Sequence, residues 1–548
     1  MQIARLIGAA GSGKTTELLR IMEAALPKLG GDPLRLGFAS FTRAARAEAV
    51  GRAAAAWGVS PGMLDGEGWF RTVHSTAKRC LGIGPGQLIG DKAPDIEWIS
   101  NALGVKVSTN IDEETGRQKF VGGQEGAALN AWDHARNTLL PLDEVVRRSR
   151  RLDDNVPDYA AVVRIAERYE SAKRIEDRLD FSDLLLRFSG LRVHPTDGVQ
   201  HVEPEGELPP VSAWLFDEQQ DASPLLDAAC KRLVSAESVK WCYVVGDPFQ
   251  AIFGFAGSSA ECFLGWPAEK ERTMPKSYRC PAPILALGER CLRRMHKGYF
   301  DRGVAPADHE GRIFDTETDV PLAAARPDEE WLFIARTNFE AGRLYASLHA
   351  AGKPARWVKQ PDGVTVRGQG LAALHALEKG KPVTGAEWGR AVELLPTVNK
   401  AKEPMLARGV KTGWAKKHAD DWDVIFPNEL EKVGATAPLV EQIRSGKWCG
   451  LVDRGEEWRR HAERWGADLA SNSRIRVGTI HSVKGMEADN VALLTTISRR
   501  VEQGRDDCHA QHDEECRIAY VGVTRARRNL YVVNEGRHGK PVPRMEVL

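Results

Sequence analysis

The sequence predicts an α/β protein built as two cores, each interrupted by a mainly helical insertion. Three observations carry this. A glycine-rich stretch, Gly8-Ala9-Ala10-Gly11-Ser12-Gly13-Lys14-Thr15-Thr16, stands between a short apolar run (Ile3, Leu6, Ile7) and a helix-patterned segment. Apolar runs of strand length alternate with helical patterns in two separate regions of the chain. Two long charged stretches, 87–201 and 379–470, carry helical patterns and scattered tryptophans instead.

Length and composition bound the rest. A chain of 548 residues holds about three or four domains. With 42% hydrophobic and 28% charged residues it reads as an ordinary water-soluble globular protein. Its 76 basic and 75 acidic residues leave a net charge of +1, so no global basic field announces a nucleic-acid partner. Any such contact must come from local patches. No apolar run approaches the ~20 residues that cross a bilayer. The N-terminus enters a strand at once, which leaves no room for a signal peptide and predicts a cytoplasmic protein of a bacterial or phage-infected cell. Nine cysteines without a C-x-x-C pair fit a reducing compartment. Cys508, His512 and Cys516 recur every four residues beside His509, but the usual zinc-ligand pairs are missing, and the segment reads as a plain helix.

In chain order, Ile3 to Ile7 opens the first core as a buried strand. Glu17 to Leu29 carries Leu18, Leu19, Ile21, Met22, Ala25 and Leu26 at helical spacing. Between them, the pattern G-x-x-x-x-G-K-[ST] is a phosphate-binding loop. Gly8, Ala10, Gly11, Ser12 and Gly13 let backbone N–H groups turn inward around phosphate oxygens, and the helix N-terminus adds its dipole. Lys14 suits the β and γ phosphates, Thr15 suits Mg²⁺, and Thr16 completes the loop.

Leu34 to Ala39 reads as a second strand, followed by a helix over 43–57. Phe70 to Leu81 reads as a strand running into a helix. Trp98, Trp132 and Tyr169 are the expected anchors of the first insertion. Strand signals return at Trp214 to Phe216 and at Trp241 to Val245, each ending in an acidic residue. Asp217 suits a metal-orienting carboxylate and Glu218 a general base toward water. After the next strand, Gln250 is placed to sense a γ-phosphate or orient water. Phe253 and Phe255 follow, either as stacking platforms for unpaired bases or as core residues.

A second α/β core opens near Met274, with strands expected at Trp331 to Ala335, Val477 to Ile480, Val491 to Leu494 and Leu530 to Val533. Thr479 to Glu487 reads as a strand end and polar turn suited to phosphate contacts. Glu514 to Arg528 reads as a helix with Arg525 near its end. Arg279 and Arg525 are candidates for stabilising charge that develops during phosphoryl transfer.

Taken in this order and spacing, these segments resemble the UvrD/Rep family of superfamily 1 DNA helicases across nearly the whole chain. The phosphate loop is similar to motif I, Phe41-Thr42 to motif Ia, and Thr72 to Ser75 to motif Ib. Asp217-Glu218-Gln219-Gln220-Asp221 resembles motif II, and Gly246 to Gln250 with Phe253-Gly254-Phe255 resembles motif III. Tyr278-Arg279 resembles motif IV, Thr479 to Glu487 motif V, and Tyr520 to Ala526 motif VI. Leu179 to Leu185 looks like a signature of the family's first insertion.

The resemblance implies two RecA-like P-loop domains with parallel sheets, and ATP with Mg²⁺ as cofactors. It divides the chain into a first domain at 1–86 and 202–273 around an insertion at 87–201. The second domain falls at 274–378 and 471–548 around a reduced insertion at 379–470. It further implies that Tyr278 stacks on adenine, Glu487 contacts the ribose, and Arg279 and Arg525 reach the γ-phosphate. Gln250 links that phosphate to the segment of Phe253 and Phe255. Single-stranded DNA touches Thr42, His74, Phe253, Phe255 and His481.

The activity implied is ATP-driven 3′-to-5′ movement on single-stranded DNA with separation of the duplex. Single/double-strand junctions are the expected substrates, replication or repair proteins the expected partners, and no membrane is involved. A translocase that unwinds weakly and displaces bound proteins is the rival. A scaffold with a dead ATP site, or a P-loop kinase, fits the intact Lys14, Asp217, Glu218, Arg279 and Arg525 less well. The sequence departs from the family at three points. Only thirteen residues precede Lys14, so the family's glutamine motif has no place there and weaker discrimination for ATP is expected. Val73 and Ala256 stand where the family often has Phe and Arg. The second insertion is short.

Overall fold

The computed structural model describes residues 1–40, 43–84, 86–90, 92–111, 118–152, 155–360, 363–411, 424–535 and 543–545. They form two compact units. One comprises Met1–Glu310 with Gln503–Thr524, and the other Gly311–Glu502 with Arg525–Met545.

The first unit is organised by a six-stranded sheet. Its strands are β1 (Gln2–Ile7), β2 (Leu36–Ser40), β3 (Trp69–Thr72), β4 (Ala213–Phe216), β5 (Trp241–Gly246) and β6 (Lys270–Thr273). The order is β6-β1-β5-β4-β2-β3, and every pairing is parallel. A parallel sheet covered on both faces needs apolar residues at consecutive positions. In β4, Ala213 and Leu215 enter one core with Leu18, Met22 and Phe38. Trp214 and Phe216 enter the other with Ile7, Leu225 and Trp266.

The helices of the first insertion enclose a core of their own around Trp132, Tyr169, Leu129 and Val162, with Trp98 half-buried against it. Under that core lies a buried charge cluster. Arg136 and Lys173 are each 3% exposed at the side chain and pair with Glu170, Asp180 and Asp183. Asp180 also caps the helix Phe181–Ser189 in a reciprocal capping box with Asp183.

The second unit has its own six-stranded parallel sheet: β7 (Arg312–Thr316), β8 (Trp331–Ala335), β9 (Arg356–Trp357), β10 (Ile475–Thr479), β11 (Ala488–Leu494) and β12 (Ala526–Val533). The order is β7-β12-β11-β8-β10-β9. The helices Val366–Glu378, Gly385–Leu394, Ala437–Arg444 and Gly455–Trp465 pack around Trp388, Trp448, Leu374 and Ile443.

Three sequence expectations differ from what is observed. The helix expected over Glu514 to Arg528 is His509–Val523, and Ala526 already opens a strand. Arg525 therefore lies in the turn before β12, because pairing of Asn529 to Val533 with β7 and β11 outweighs the local helical pattern. The helix expected over Glu17 to Leu29 begins at Lys14 and ends at Ala25, with a 3₁₀ turn over Leu26–Leu29. Residues 274–310 and 503–524, which the sequence groups with the second core, pack in the first compact unit.

Candidate functional site

Ligands in open parallel sheets bind beyond the carboxyl ends of the strands. In the first unit that edge carries the phosphate loop after β1, Asp217-Glu218 after β4 and Asp247 to Gln250 after β5. The loop is tied to its neighbour by Gly8 N–H, which donates to Gly246 O at 2.9 Å.

Gly11 and Gly13 adopt φ of 70° and 80°, the left-handed region that glycine enters at no steric cost. A β-carbon at Gly11 would also stand 2.2 Å from Cβ of Arg279. Lys14 heads the helix, and its Nζ donates to Gly8 O at 3.2 Å across the loop. Thr15 is half-buried and Thr16 exposed.

The segment Lys276–Pro281 lies against this loop. Ser277 Oγ donates to Ala10 O at 2.7 Å, and Tyr278 N–H donates to Gly11 O at 2.8 Å. The Tyr278 ring is 68% exposed and stands 3.9 Å from where a Gly13 β-carbon would be. The exposed ring lies beside the mouth of the loop, with Lys276 Nζ 5.8 Å from its centroid. Arg279 Nη1 donates to Thr524 O at 3.4 Å.

The acidic pair shows two environments. Asp217 is 3% exposed. Burial and the adjacent Glu218 carboxylate raise its acid to about 7, against the pull of Lys14. A buried carboxylate beside a second one is a place where added positive charge stabilises. Glu218 holds φ at 54°, strained for a residue with a side chain. It accepts a hydrogen bond from Gln220 Nε2.

Behind the loop runs a buried network that sequence reasoning missed. Asp247 is fully enclosed. Its Oδ1 accepts from Arg302 Nη1 at 2.7 Å and from Phe249 N–H at 3.2 Å. Its Oδ2 accepts from Gln250 Nε2 at 2.8 Å and from the Tyr520 hydroxyl at 3.1 Å. That hydroxyl in turn accepts from Ala10 N–H of the phosphate loop at 3.2 Å. Arg302 also pairs with Glu289 and lies over the Phe249 and Tyr520 rings. A continuous hydrogen-bonded path thus joins Ala10 to Gln250. Arg302 carries no motif of its own, although the Phe249 and Tyr520 rings it covers belong to the segments that resemble motifs III and VI.

Beyond Gln250, Phe255 is 45% exposed and Phe253 half-buried, with ring centroids 6.3 Å apart at 74°. Gly254 N–H donates to Glu514 Oε1 at 3.0 Å. His74, half-buried on the helix Val73–Cys80, meets the exposed Phe181 ring edge-on at 5.8 Å. Thr42 lies outside the described residues.

In the second unit the candidates divide between two edges of the sheet. Glu487 precedes β11 and Arg525 precedes β12, so both lie at the amino ends. Arg525 is 1% exposed, and its Nη1 donates to Met486 O at 3.1 Å. Glu487 accepts from Arg527 Nη1 at 3.4 Å. His481 follows β10 at the carboxyl ends and is 2% exposed. Its turn is closed by Thr479 and Ser482, whose side chains each bond the other's backbone N–H.

No helix among the described residues is long and apolar enough to cross a membrane. Residues 2–270 match the family model for the UvrD/REP helicase N-terminal domain, and residues 463–535 match that for the UvrD-like helicase C-terminal domain. YjcD of Bacillus subtilis is 23% identical over 99% of this chain and 78% of its own length. The ATP-dependent DNA helicase UvrD2 of Mycobacterium tuberculosis is 23% identical over 72% of the chain and 57% of its own length. The ATP-dependent DNA helicase UvrD1 of the same organism is 22% identical over 96% and 79%.

Proposed function

We propose that this chain, which belongs to the UvrD/Rep family of superfamily 1 helicases and is an ATP-dependent DNA helicase, moves 3′ to 5′ along single-stranded DNA and separates the duplex ahead of it. The observation that carries the reading is the path from Ala10 through Tyr520 and Asp247 to Gln250. It links the residues that would grip phosphates to the segment bearing Phe253 and Phe255.

In this reading the loop from Gly8 to Gly13 cradles the phosphates with its N–H groups, and Lys14 turns from Gly8 O to the β and γ phosphates. Tyr278 stacks on the base. The Thr15 hydroxyl and the Asp217 carboxylate are hard oxygen donors and fit Mg²⁺. The ion supplies neutralising charge on the phosphate oxygens. Glu218 accepts a proton from the attacking water. Arg279 and Arg525 stabilise charge that develops on the transferred group, and Glu487 bonds the ribose. Gln250 senses the γ-phosphate and passes its state to Phe253 and Phe255, on which bases stack. His74 and the Thr479–Ser482 turn touch the strand.

The test is ATP hydrolysis with and without single-stranded DNA, with Lys14→Ala as control, followed by unwinding of 3′-tailed and 5′-tailed duplexes. DNA-stimulated hydrolysis and a 3′-tail preference are expected. A 5′-tail preference would overturn the polarity. Translocation on single strands without unwinding of either duplex would leave a translocase that displaces bound proteins.

A further inference from the structure

We propose that His349, Glu457 and His461 form a site for one late first-row divalent cation, with Zn²⁺ the natural probe, that ties the second sheet's helical layer to the helix Gly455–Trp465. The inference is independent of the helicase reading, and its failure would leave that reading untouched.

The three residues come from two packed elements. His349 ends the helix Asn338–Ala350, whose Ala341, Leu344 and Leu348 belong to the core of the second sheet. Glu457 and His461 stand four residues apart on Gly455–Trp465, which puts them on one face. Trp458 and Ala462 of that helix belong to the separate helical core. One ligand atom from each of the three lies within 4.8 Å of the others. Around a tetrahedral ion such atoms stand about 3.3 Å apart, given metal–ligand bonds near 2.0–2.1 Å. His349 Nδ1 and Glu457 Oε1, now in direct contact, must part to admit the ion while the wider pairs draw in.

Hydrogen-bond accounting at His349 points the same way. Nε2 stands 3.2 Å from Ala355 O, and Nδ1 stands against Glu457 Oε1. Both partners are acceptors. A neutral imidazole has one N–H, so it can satisfy only one of them. With Nε2–H given to the carbonyl, Nδ1 turns a lone pair toward a carboxylate. A proton or a metal ion held between them would satisfy both. Two imidazoles and one carboxylate whose ligand atoms gather within 4.8 Å are a ligand set for zinc, with a fourth position left for water. The carbonyl on the far nitrogen is the outer partner that metal-bound histidines commonly have.

Arg454 donates to Glu457 from Nε at 2.8 Å and Nη2 at 2.9 Å. Its side chain is 48% exposed, and the carboxylate keeps lone pairs for a second cation. Glu170, Asp180 and Asp183 satisfy the same distance test, but Lys173 and Arg136 already supply the positive charge there.

The experiment uses the full chain, stripped by dialysis against a chelator. Zn²⁺ uptake is measured by competition with a chromophoric chelator, and Co²⁺ serves as the spectroscopic probe. One equivalent of Zn²⁺ is expected, with the visible absorption of four-coordinate Co²⁺. His461→Gln and His349→Gln, checked for folding by circular dichroism, should each weaken uptake by about tenfold or more. No Zn²⁺ uptake by the wild type would overturn the site. Wild-type affinity in both variants would overturn it equally. If the variants fail to fold, the wild-type Co²⁺ spectrum decides: absorption typical of six-coordinate aqueous ion rejects the proposal.

Discussion

Asp247 sets the terms at the residue scale. A carboxylate with no exposure is tolerable only because Arg302 neutralises it and four donors fill its lone pairs. Arg302→Met removes the charge and leaves the carboxylate buried. The expected cost is about 3–5 kcal/mol, read as a lowered urea midpoint. Tyr520→Phe is milder. Arg302 stays, but Ala10 N–H loses its acceptor and Asp247 one donor, for about 1–3 kcal/mol. Its sharper effect should be on ATP turnover and on stimulation by single-stranded DNA, both reduced. A Tyr520→Phe protein with wild-type stimulation would break the proposed path. The phosphate loop was legible because its chemistry is local: glycines, a lysine and a hydroxyl in nine residues. Arg302 was not. Its partners Asp247, Glu289 and Tyr520 are scattered along the chain, and nothing around Arg302 distinguishes it from a solvated arginine.

At the scale of elements, central strands were readable and most edges were not, β3 being the edge that was read. Trp331–Ala335, Trp241–Gly246 and Ala213–Phe216 are continuous apolar runs because helices or loops cover both faces. Within the two six-stranded sheets, the strands that went unseen are β6, β7 and β9, all at sheet edges. β6 reads Lys270-Glu271-Arg272-Thr273, the kind of charge that keeps an edge from pairing with another chain. The short 3₁₀ segment with Phe253 and Phe255 yields a prediction of its own. Each base stacked there is worth about 1–3 kcal/mol. Phe255→Ala should weaken binding of oligo-dT by about five- to a hundredfold, read by fluorescence anisotropy, with melting temperature unchanged because the ring is exposed. At the end of the helix Val366–Glu378, Glu378 gives a pH prediction. Burial alone would raise its acid, but hydrogen bonds from Arg459 and Trp448 Nε1 outweigh this and hold it at about 2, below the ordinary 4.5. The native state therefore prefers the carboxylate. Its contribution is complete above 4.5 and is lost as pH falls toward 2. Glu378→Gln should lower the melting temperature at pH 7, and the gap to wild type should narrow as pH drops through that window. A gap that stays constant would mean the charge contributes nothing.

For the whole molecule, two six-stranded sheets and two compact units divide one chain, whose described residues pass between the units at 310–311, 502–503 and 524–525. The last passage falls inside a single motif. Tyr520 bonds the phosphate loop in the first unit, and Arg525 bonds Met486 in the second. Pattern reading sees one continuous motif and cannot see this division, because the passage is a property of packing rather than of local propensity. Each unit has separate apolar cores, so thermal unfolding should show two calorimetric transitions. In the proposed reading a nucleotide is gripped mainly by Gly8 to Thr15 of the first unit. At a hundred times its dissociation constant a non-hydrolysable analogue should add about 2.7 kcal/mol, chiefly to that transition. Lys14→Ala should abolish the shift. Glu378→Gln should lower the other transition at pH 7, which assigns the two without cutting the chain. A single transition moved by both changes would mean that the units unfold as one cooperative body, and that the three passages of chain couple them more tightly than their separate cores suggest.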